Sequence, residues 1–480
     1  MNRPNILFFF SDQQRADTIG CYGQKLNVTP NLDRMALEGA RFSNAYTCQP
    51  VCGPARACLQ TGLYATQTGC FRNDEPLPLD ADTIGKRFAN AGYETAYVGK
   101  WHLASGRRHG IDYQTTAIPE ERRGGYKDYW VAADLLEFTS HGYDGTVYGI
   151  NNERLDFIGY RADCITDYAI HYLRKKQSDK PFFLMVSYIE PHHQNDHNCY
   201  EGPIGSKQKF ADYEVPEDLA CREAAGDWRE NYPDYLGQCH SLDYNLGRLI
   251  DVLKDQGIYD DTVIIYTSDH GSHFRTRDGE YKRQCFDSCL HVPLIIKGVK
   301  NGEFVGGKVL DEMVSLINLP STLMRFAQLP NIGCENELAL QDLWNNPDHW
   351  QEEIFFQVSE QEVSRGIRTK RYKYTVTAPD KKPKVLREPG KYSEEFLNGL
   401  SAVEREEYIF SEFADSDVYV EQYLFDLETD PTESCNLIND PAMKQVKEQL
   451  KKKLLKRMIQ AGEKEPEIIE TYKGVPTYER

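Results

Sequence analysis

Continuous apolar runs that end in polar residues recur along the first two thirds of the chain. The first run, ILFFF over residues 6–10, is followed at once by Ser11 and Asp12. A run without polar alternation predicts a strand buried on both faces, as in a parallel sheet. Segments with apolar residues at helical spacing lie between such runs. The predicted strands are 6–10, 93–98, 182–189, 262–267 and 292–296, and the predicted helices are 30–40, 82–91, 161–177 and 234–256.

This alternation of strands and helices predicts an α/β fold with a large, mostly parallel sheet flanked by helices. In open α/β sheets, ligands bind beyond the carboxyl ends of the strands. Four predicted strands end in side chains that can do chemistry, so we expect four distant segments to meet at one site. These side chains are Asp12, Lys100 with His102, His192, and Asp269 with His270.

The pattern changes after about residue 345. Short strand-like pieces replace the long runs, at 354–358, 366–368, 372–376 and 423–427, and a charged amphipathic helix is predicted over 441–462. We therefore predict a catalytic α/β domain over residues 1–345 and a smaller α+β subdomain with an antiparallel sheet over residues 346–480. The segment 105–160 is rich in Gly, Tyr and Arg, and predicts a long loop insertion near the site.

Composition narrows the choice of ligand and compartment. The 480 residues include 56 Lys and Arg against 74 Asp and Glu, a net charge of −18. An acidic chain disfavours nucleic acid as a partner, although a local basic pocket can still bind a small anion. The 13 cysteines are dispersed without zinc spacing, which favours reduced thiols. No export signal and no run long enough to cross a membrane is predicted, so we expect a cytoplasmic protein.

The segment Cys52-Gly53-Pro54-Ala55-Arg56 is the strongest local signal of chemistry. Pro54 suits the first turn of a helix, with Cys52 just before it. A cysteine at a helix N-terminus beside an arginine is expected to have a lowered pKa and to be reactive.

A set of oxygen-bearing side chains at two strand ends predicts a metal site. Asp12, Gln13 and Asp269 supply oxygens, and His270 supplies one imidazole. Such a set favours a hard cation, Ca²⁺ or Mg²⁺, over zinc. A metal beside basic side chains and a nucleophile suits hydrolysis of a sulfate or phosphate ester, because each group stabilises developing charge.

Several segments together resemble the sulfatase family. CGPAR resembles the family's C-x-P/A-x-R element, and NILFFFSDQQRADTIGCYG resembles its opening strand with the first metal pair. GKWHL, EPHH and SDHG resemble its Lys-x-His segment, its downstream histidine segment and its second metal pair. Lys282 before HVPLII matches a sulfate-binding lysine, and IRTKRYKY and YLFDLETDPTESCNL resemble the C-terminal subdomain. The resemblance implies an alkaline-phosphatase-like sandwich.

The resemblance also implies roles for the site residues. Cys52 would be converted by a formylglycine-generating enzyme of the host to Cα-formylglycine, whose hydrate attacks sulfur and later expels sulfate. Ca²⁺, rather than Mg²⁺, would be bound by Asp12, Gln13, Asp269, His270 and residue 52. Arg56 would orient the formylglycine, while Lys100 and Lys282 neutralise the sulfate. His102 would take up a proton, and His192, or alternatively His193, would protonate the leaving oxygen. Gln13 and His270 depart from the commonest pattern, which has Asp and Asn there.

Three functions remain open at this point. The first is a sulfatase acting on a carbohydrate, such as a mono- or disaccharide derived from a glycosaminoglycan or mucin. The second is a phosphodiesterase or phosphonate monoester hydrolase of the same superfamily, which Gln13 favours slightly and the Lys-x-His segment disfavours. The third is a non-catalytic binding protein. Candidate residues for substrate specificity are Arg122, Arg123, His141, His193, Arg275, Arg277 and Arg283.

Overall fold

A computed structural model of the chain describes residues 3–333, 338–388 and 390–470. The ends of the two predicted domains, residues 1–2 and 471–480, lie outside the described residues. The strands are β1 (Asn5–Ser11), β2 (Ala40–Tyr46), β3 (Glu94–Lys100), β4 (Tyr129–Ala133), β5 (Asp144–Tyr148), β6 (Arg154–Ile158), β7 (Phe182–Ser187), β8 (Thr262–Ser268), β9 (Leu294–Lys297), β10 (Lys308–Ser315), β11 (Glu353–Val358), β12 (Ser364–Thr369), β13 (Tyr372–Thr377), β14 (Val418–Asp426) and β15 (Glu467–Ile469).

Helices alternate with these strands in the first part of the chain and lie between and after them in the last part. They are α1 (Pro30–Glu38), α2 (Cys52–Thr61), α3 (Ala65–Thr68), α4 (Ile84–Asn90), α5 (Leu136–Thr139), α6 (Arg161–Lys175), α7 (Ser206–Lys209), α8 (Glu217–Ala220), α9 (Trp228–Asp255), α10 (Asp287–Leu290), α11 (Asn318–Phe326), α12 (Leu340–Asn345), α13 (Lys384–Arg387), α14 (Glu394–Asn398), α15 (Ala402–Ile409) and α16 (Lys444–Gln460).

The large sheet has the strand order β10-β2-β9-β8-β1-β7-β3-β4-β5-β6. Its centre, from β8 to β4, is parallel throughout, and β10 pairs with β2 in parallel as well. Antiparallel pairs occur at β2·β9, β8·β9, β4·β5 and β5·β6. The predicted α/β fold with a mostly parallel sheet is confirmed.

Strand β1 shows why an apolar run without alternation forms the centre of this sheet. Alternate side chains of a strand point to opposite faces. Phe8 and Phe10 therefore join one buried cluster, with α2, α4 and α11, while Leu7 and Phe9 join the other, with α6 and α9. Because helices cover both faces, neither face tolerates polar residues, and the strand reads as a continuous apolar run.

The prediction of a loop insertion over 105–160 is wrong in part. Strands β4, β5 and β6 lie within this segment and form one edge of the large sheet. Strands β5 and β6 have mostly intermediate or exposed side chains, so they lack the apolar runs that marked the central strands. An edge strand is covered less, and its sequence carries a weaker signal as a result.

A second sheet, of order β11-β12-β13-β14-β15, forms the last part of the chain. Strands β11 to β14 pair antiparallel, as predicted, while β15 joins β14 in parallel. Helix α16 packs Leu450, Leu454 and Met458 into the cluster of apolar residues that this sheet shares with α3. The placement of the domain boundary at residue 345 stays a prediction.

Within the described ranges, no helix is long and apolar enough to cross a membrane. Twelve of the cysteines fall in these ranges, and all twelve are free thiols.

Candidate active site

The polar residues that follow four parallel strands lie together at one edge of the large sheet. Strand β1 pairs with β7 on one side and β8 on the other, with Ser11 opposite Ser268, and β3 pairs with β7. Parallel strands present their carboxyl ends to the same edge. Asp12, Lys100, His192 and Asp269 are therefore neighbours, although up to 257 residues separate them along the chain.

Cys52 is the first residue of α2 and is 1% exposed. The helix thus begins two residues earlier than Pro54 suggested. Lys282 Nζ lies 2.7 Å from Cys52 Sγ, His270 Nε2 lies 3.2 Å away and Asp12 Oδ1 lies 3.4 Å away. The expected lowering of the thiol pKa is wrong, because burial, reinforced by the charge of Asp12, raises the pKa of Cys52 to about 12.

Arg56 lies one helical turn after Cys52 and connects four strand ends, those of β1, β3, β7 and β8. Its Nη1 donates to Lys100 O at 3.1 Å and to Ser187 Oγ at 2.7 Å. Its Nη2 lies 3.0 Å from Asp12 Oδ2 and 3.2 Å from Asp269 Oδ2. The guanidinium fork suits such a bridge between two carboxylates, so Arg56 fixes their separation while remaining buried itself.

Lys100 ends β3 and is fully buried. Its Nζ lies 3.0 Å from Asp12 Oδ2 and 3.2 Å from Glu137 Oε2. Although burial opposes the charged form, Asp12 and Glu137 outweigh it and raise the pKa of Lys100 above its ordinary value. The ammonium is therefore a permanent positive charge beside the site.

Lys282 connects Cys52 to the histidine after β7. Its Nζ lies 3.0 Å from His192 Nε2, and His192 Nδ1 lies 2.5 Å from His193 O. A carbonyl oxygen can only accept a hydrogen bond, so His192 Nδ1 carries a hydrogen. Nε2 is therefore the nitrogen of His192 that gains or loses a proton. Burial and the charge of Lys282 hold the pKa of His192 well below its ordinary value.

The two remaining histidines differ in their surroundings. His102 is half-buried and has no partner at Nδ1. Burial, Lys100 and Arg56 hold the pKa of His102 well below its ordinary value, so its ring is neutral. His193 packs against two tyrosines, with its ring centroid 4.4 Å from that of Tyr281 and 5.3 Å from that of Tyr200.

Asp12, Cys52, Asp269 and His270 each offer a ligand atom within 4.8 Å of the others, and all four are buried. His270 Nδ1 lies 2.9 Å from Gly271 O, which leaves the Nε2 lone pair facing the two carboxylates at 3.6 Å. Burial and the charge of Asp12 raise the pKa of Asp269 to about 7. A divalent cation between the carboxylates would remove that repulsion, so the donor set fits a metal ion.

Gln13 contributes to this group less directly. Its backbone nitrogen donates to Asp269 Oδ1 at 3.0 Å, and its side-chain nitrogen donates to Tyr200 OH at 2.8 Å. The side-chain oxygen is thus the only atom of Gln13 left for a cation. Gln13 and His102 both have positive φ values, 67° and 58°, which side-chain-bearing residues rarely adopt. Such strain commonly marks functional sites.

Most candidate specificity residues are occupied by protein partners. Arg123 bonds Ile118 O, Ile150 O and Asn152, and Arg277 bonds the carbonyls of Thr432 and Glu433. The others pair as follows: His141 with Asp196, His193 with Asn195, Arg275 with Asp227 and Asn198, Arg283 with Glu280 and Glu360, and Arg122 over the ring of Tyr113.

Two further residues of the site were not predicted from the sequence. Ser187 ends β7 and accepts the hydrogen bond of Arg56, and a lone polar residue closing an apolar run could have indicated it. Glu137 lies in α5, within the predicted loop insertion, and pairs with Lys100. No local sequence pattern indicates that Glu137 belongs to the site.

Comparisons with known proteins agree with the resemblance. The Sulfatase family model matches residues 4–329. The uncharacterized sulfatase YidJ of Escherichia coli (strain K12) is 34% identical over 375 residues, 71% of this chain and 72% of that protein. The N-acetylglucosamine-6-O-sulfatase of Bacteroides thetaiotaomicron is 27% identical over 455 residues, 77% of this chain and 78% of that protein.

The fold is also found among solved structures. One, a complex with its substrate D-glucosamine-2-N,6-O-disulfate, aligns with a TM-score of 0.71 and 22% identity over 97% of this chain and 99% of that chain. This likeness confirms the alkaline-phosphatase-like fold. With a family match over more than half of its length, the chain belongs to the sulfatase family and is an enzyme that hydrolyses sulfate esters.

Proposed function

We propose that the chain hydrolyses a sulfate ester on a carbohydrate, a mono- or disaccharide derived from a glycosaminoglycan or mucin, to an alcohol and inorganic sulfate. The observation that carries the proposal is the set of polar groups around Cys52, with Lys282, His270 and Asp12 between 2.7 and 3.4 Å from the sulfur. A structural cysteine in a core needs no such partners. The similar proteins include an N-acetylglucosamine-6-O-sulfatase and a structure in complex with a glucosamine disulfate, which favours an amino sugar as the substrate.

We also propose that Cys52 acts as Cα-formylglycine, made by a formylglycine-generating enzyme of the host. A thiol with a pKa of about 12 stays protonated at neutral pH and is a weak nucleophile, so an unmodified Cys52 suits the reaction poorly. The polar groups around the sulfur fit the hydroxyls of an aldehyde hydrate. When present, that hydrate supplies a hydroxyl nucleophile that needs no thiolate.

The residues that would hold a divalent cation are Asp12, Gln13, Asp269 and His270, together with the side chain of residue 52. Two carboxylates and an amide oxygen favour Ca²⁺ over Mg²⁺ in a site of irregular geometry, and the single imidazole lowers the selectivity. A bound cation would polarise an oxygen of the sulfate. Arg56 holds the two carboxylates in place through Nη2, which contacts both of them.

The remaining residues bind the anion and move protons. Lys100 and Lys282 donate to the sulfate oxygens, since both are buried ammonium groups beside residue 52. When the sulfate ester draws the Lys282 ammonium away from His192 Nε2, that nitrogen takes up a proton from water and then donates it to the leaving oxygen. The orientation of His193 toward Tyr281 favours His192 as the acid. His102, neutral and with Nδ1 unpartnered, accepts a proton during release of sulfate.

The cysteine proposal is tested by mass spectrometry of the Cys52 peptide from the native host. We expect a lighter peptide that reacts with hydrazines, because a carbonyl oxygen replaces the thiol sulfur. An entirely unmodified thiol in active enzyme would contradict the proposal. Cys52→Ser and Cys58→Ser form a matched pair, because both cysteines are buried in α2 but only Cys52 faces Lys282. Only the first should abolish turnover.

The second candidate function, a phosphodiesterase or phosphonate monoester hydrolase, rests on Gln13 alone. The rates of hydrolysis of an aryl sulfate and of an aryl phosphodiester with the same leaving group distinguish the two candidate functions. We expect the sulfate to be hydrolysed faster, because two buried ammonium groups suit the smaller tetrahedral anion. A panel of sulfated mono- and disaccharides, led by 6-O- and N-sulfated glucosamine, then tests the sugar.

A further inference from the structure

A second group of metal-ligand side chains lies outside the catalytic site. His141 follows α5, and Asp196 and His197 lie in the segment after β7. One ligand atom from each of the three lies within 4.8 Å of the others. Between 41% and 56% of each side chain is exposed, so an ion can reach all three from solvent.

The two imidazole rings lie face to face, and each has one nitrogen beside a carboxylate. They stack with centroids 4.1 Å apart and 5° between their planes. His141 Nε2 lies 2.8 Å from Asp196 Oδ2, and His197 Nδ1 bonds Glu201 Oε1. In neutral rings these nitrogens donate to the carboxylates, which leaves His141 Nδ1 and His197 Nε2 with lone pairs. Metal-binding histidines commonly have one nitrogen held by a carboxylate, as Glu201 holds His197 Nδ1 here.

The local charge also favours a cation. Asp144 Oδ1 lies 3.9 Å from His141 Nδ1, so three carboxylates, those of Asp144, Asp196 and Glu201, surround the two rings. Gln194 Nε2 donates to Asp196 Oδ1 at 2.8 Å, and Asp196 Oδ2 lies 2.8 Å from His141 Nε2, so the carboxylate is held beside the ring.

We propose that His141, Asp196 and His197 bind a transition-metal ion of the zinc type. Imidazole nitrogens with a carboxylate suit Zn²⁺, Ni²⁺ or Cu²⁺ and suit Ca²⁺ poorly, so this surface site and the oxygen-rich catalytic site select different ions. To bind one ion, both rings would rotate out of the stack and Asp196 would exchange its hydrogen bond with His141 Nε2 for the ion, with water completing a tetrahedron.

A bound ion would join two segments that support the catalytic site. Gln194 Nε2 donates to Asp196 Oδ1 at 2.8 Å and to Glu137 O at 2.9 Å. Glu137 pairs with Lys100, and Gln194 lies two residues after His192. The ion would therefore tie together the supports of the anion-binding lysine and of the proposed acid, while itself remaining on the surface.

The test is a Zn²⁺ titration by calorimetry of the full chain in saturating Ca²⁺, which occupies the catalytic site. We expect one further equivalent of Zn²⁺, and its complete loss in His141→Ala/His197→Ala. Asp196→Asn should weaken binding at least about tenfold. The matched control is His109→Ala, which removes an exposed imidazole held by the single carboxylate of Glu75 and should bind as the unaltered chain does.

Co²⁺ in place of Zn²⁺ gives a second readout, because its visible absorption reports nitrogen and oxygen ligands. We expect tetrahedral bands that disappear in the double variant. Unchanged Zn²⁺ stoichiometry in the folded double variant would overturn the proposal, and so would the absence of any Zn²⁺ equivalent in the unaltered chain. Circular dichroism establishes that each variant is folded. The proposal is independent of the substrate and of the state of Cys52.

Discussion

Lys282 is the residue whose removal tests the proposed chemistry most directly. Its Nζ contacts both Cys52 Sγ and His192 Nε2, and the side chain is 4% exposed. Lys282→Met keeps the apolar stem and deletes the ammonium. A preorganised donor aimed at developing charge is worth about 2.7–4 kcal/mol in the transition state. We therefore expect kcat/KM to fall by about 10²- to 10³-fold.

The same substitution should also move the pH profile. Burial and the charge of Lys282 together lower the pKa of His192. Deleting the ammonium removes the second cause, so the pKa of His192 rises toward its ordinary value. An acid works below its pKa, and the alkaline limb of kcat/KM should shift to higher pH in Lys282→Met. Lys282→Arg keeps the charge and should leave that limb near its original position, with part of the rate restored.

The assay is hydrolysis of an aryl sulfate followed over a range of pH. The matched control is Lys373→Met, which removes another buried ammonium, one that pairs with Asp287 and Glu433 away from the site. It should lower stability without moving the alkaline limb. A kcat/KM of Lys282→Met within threefold of the original would refute the role of Lys282. A large loss of rate with an unmoved limb would refute His192 as the acid.

Three further predictions concern stability and the metal. Arg56→Met leaves Asp269 without its ion-pair partner and Asp12 with Lys100 alone. Urea unfolding should show a loss of about 3–5 kcal/mol, and a midpoint like that of the unaltered protein would contradict this. Burial and the charge of Asp12 raise the pKa of Asp269 to about 7, so Ca²⁺ competes with a proton for this carboxylate. Calorimetric titration of Ca²⁺ into enzyme stripped of metal by a chelator should give weaker Ca²⁺ binding below that pH than above it. Burial opposes ionisation of Asp287, but Arg368 and Lys373 hold the pKa of Asp287 well below its ordinary value of about 3.9. The resulting stability is present above that pH and is lost as the pH falls through the lowered pKa, so Asp287→Asn should flatten the acid limb of the urea midpoint.

The central strands could be predicted from the sequence, whereas the edges of the sheet could not. Strand β1 is buried on both faces, and burial on both faces forces an apolar run. Strand β2 (ARFSNAY) has intermediate side chains at three of its seven positions, and β6 has exposed ones at three of five. Neither strand is long enough for an alternation of apolar and polar residues to stand out from chance. Pairing with neighbours fixes these strands, and a single sequence does not record that pairing.

The site shows the same division between local and long-range information. Asp12, Lys100 and Asp269 could be placed together because each ends a parallel strand, and the sheet brings the ends of its strands to one edge. Glu137 reaches Lys100 from a four-residue helix that no periodicity marks. The pKa of Cys52 was predicted in the wrong direction because helix position and Arg56 were visible in the sequence, while complete burial beside Asp12 was not.

The net charge of −18 proves to be a poor guide to the ligand, for a reason that the site makes explicit. Asp12 is ion-paired with both Arg56 and Lys100, and Lys100 also pairs with Glu137. The charges of the site's side chains therefore nearly balance, and an anion would find little net attraction from them alone.

A divalent cation between the carboxylates would change that balance of charge, because it would satisfy Asp12 and Asp269 and leave the ammonium groups to face the substrate. The cationic side chains of this buried cluster are Arg56, Lys100 and Lys282, and the carboxylates are Asp12, Glu137 and Asp269. If these residues bind the sulfate as proposed, affinity for it would depend on how the buried ion pairs are redistributed, which the composition of the chain does not reveal.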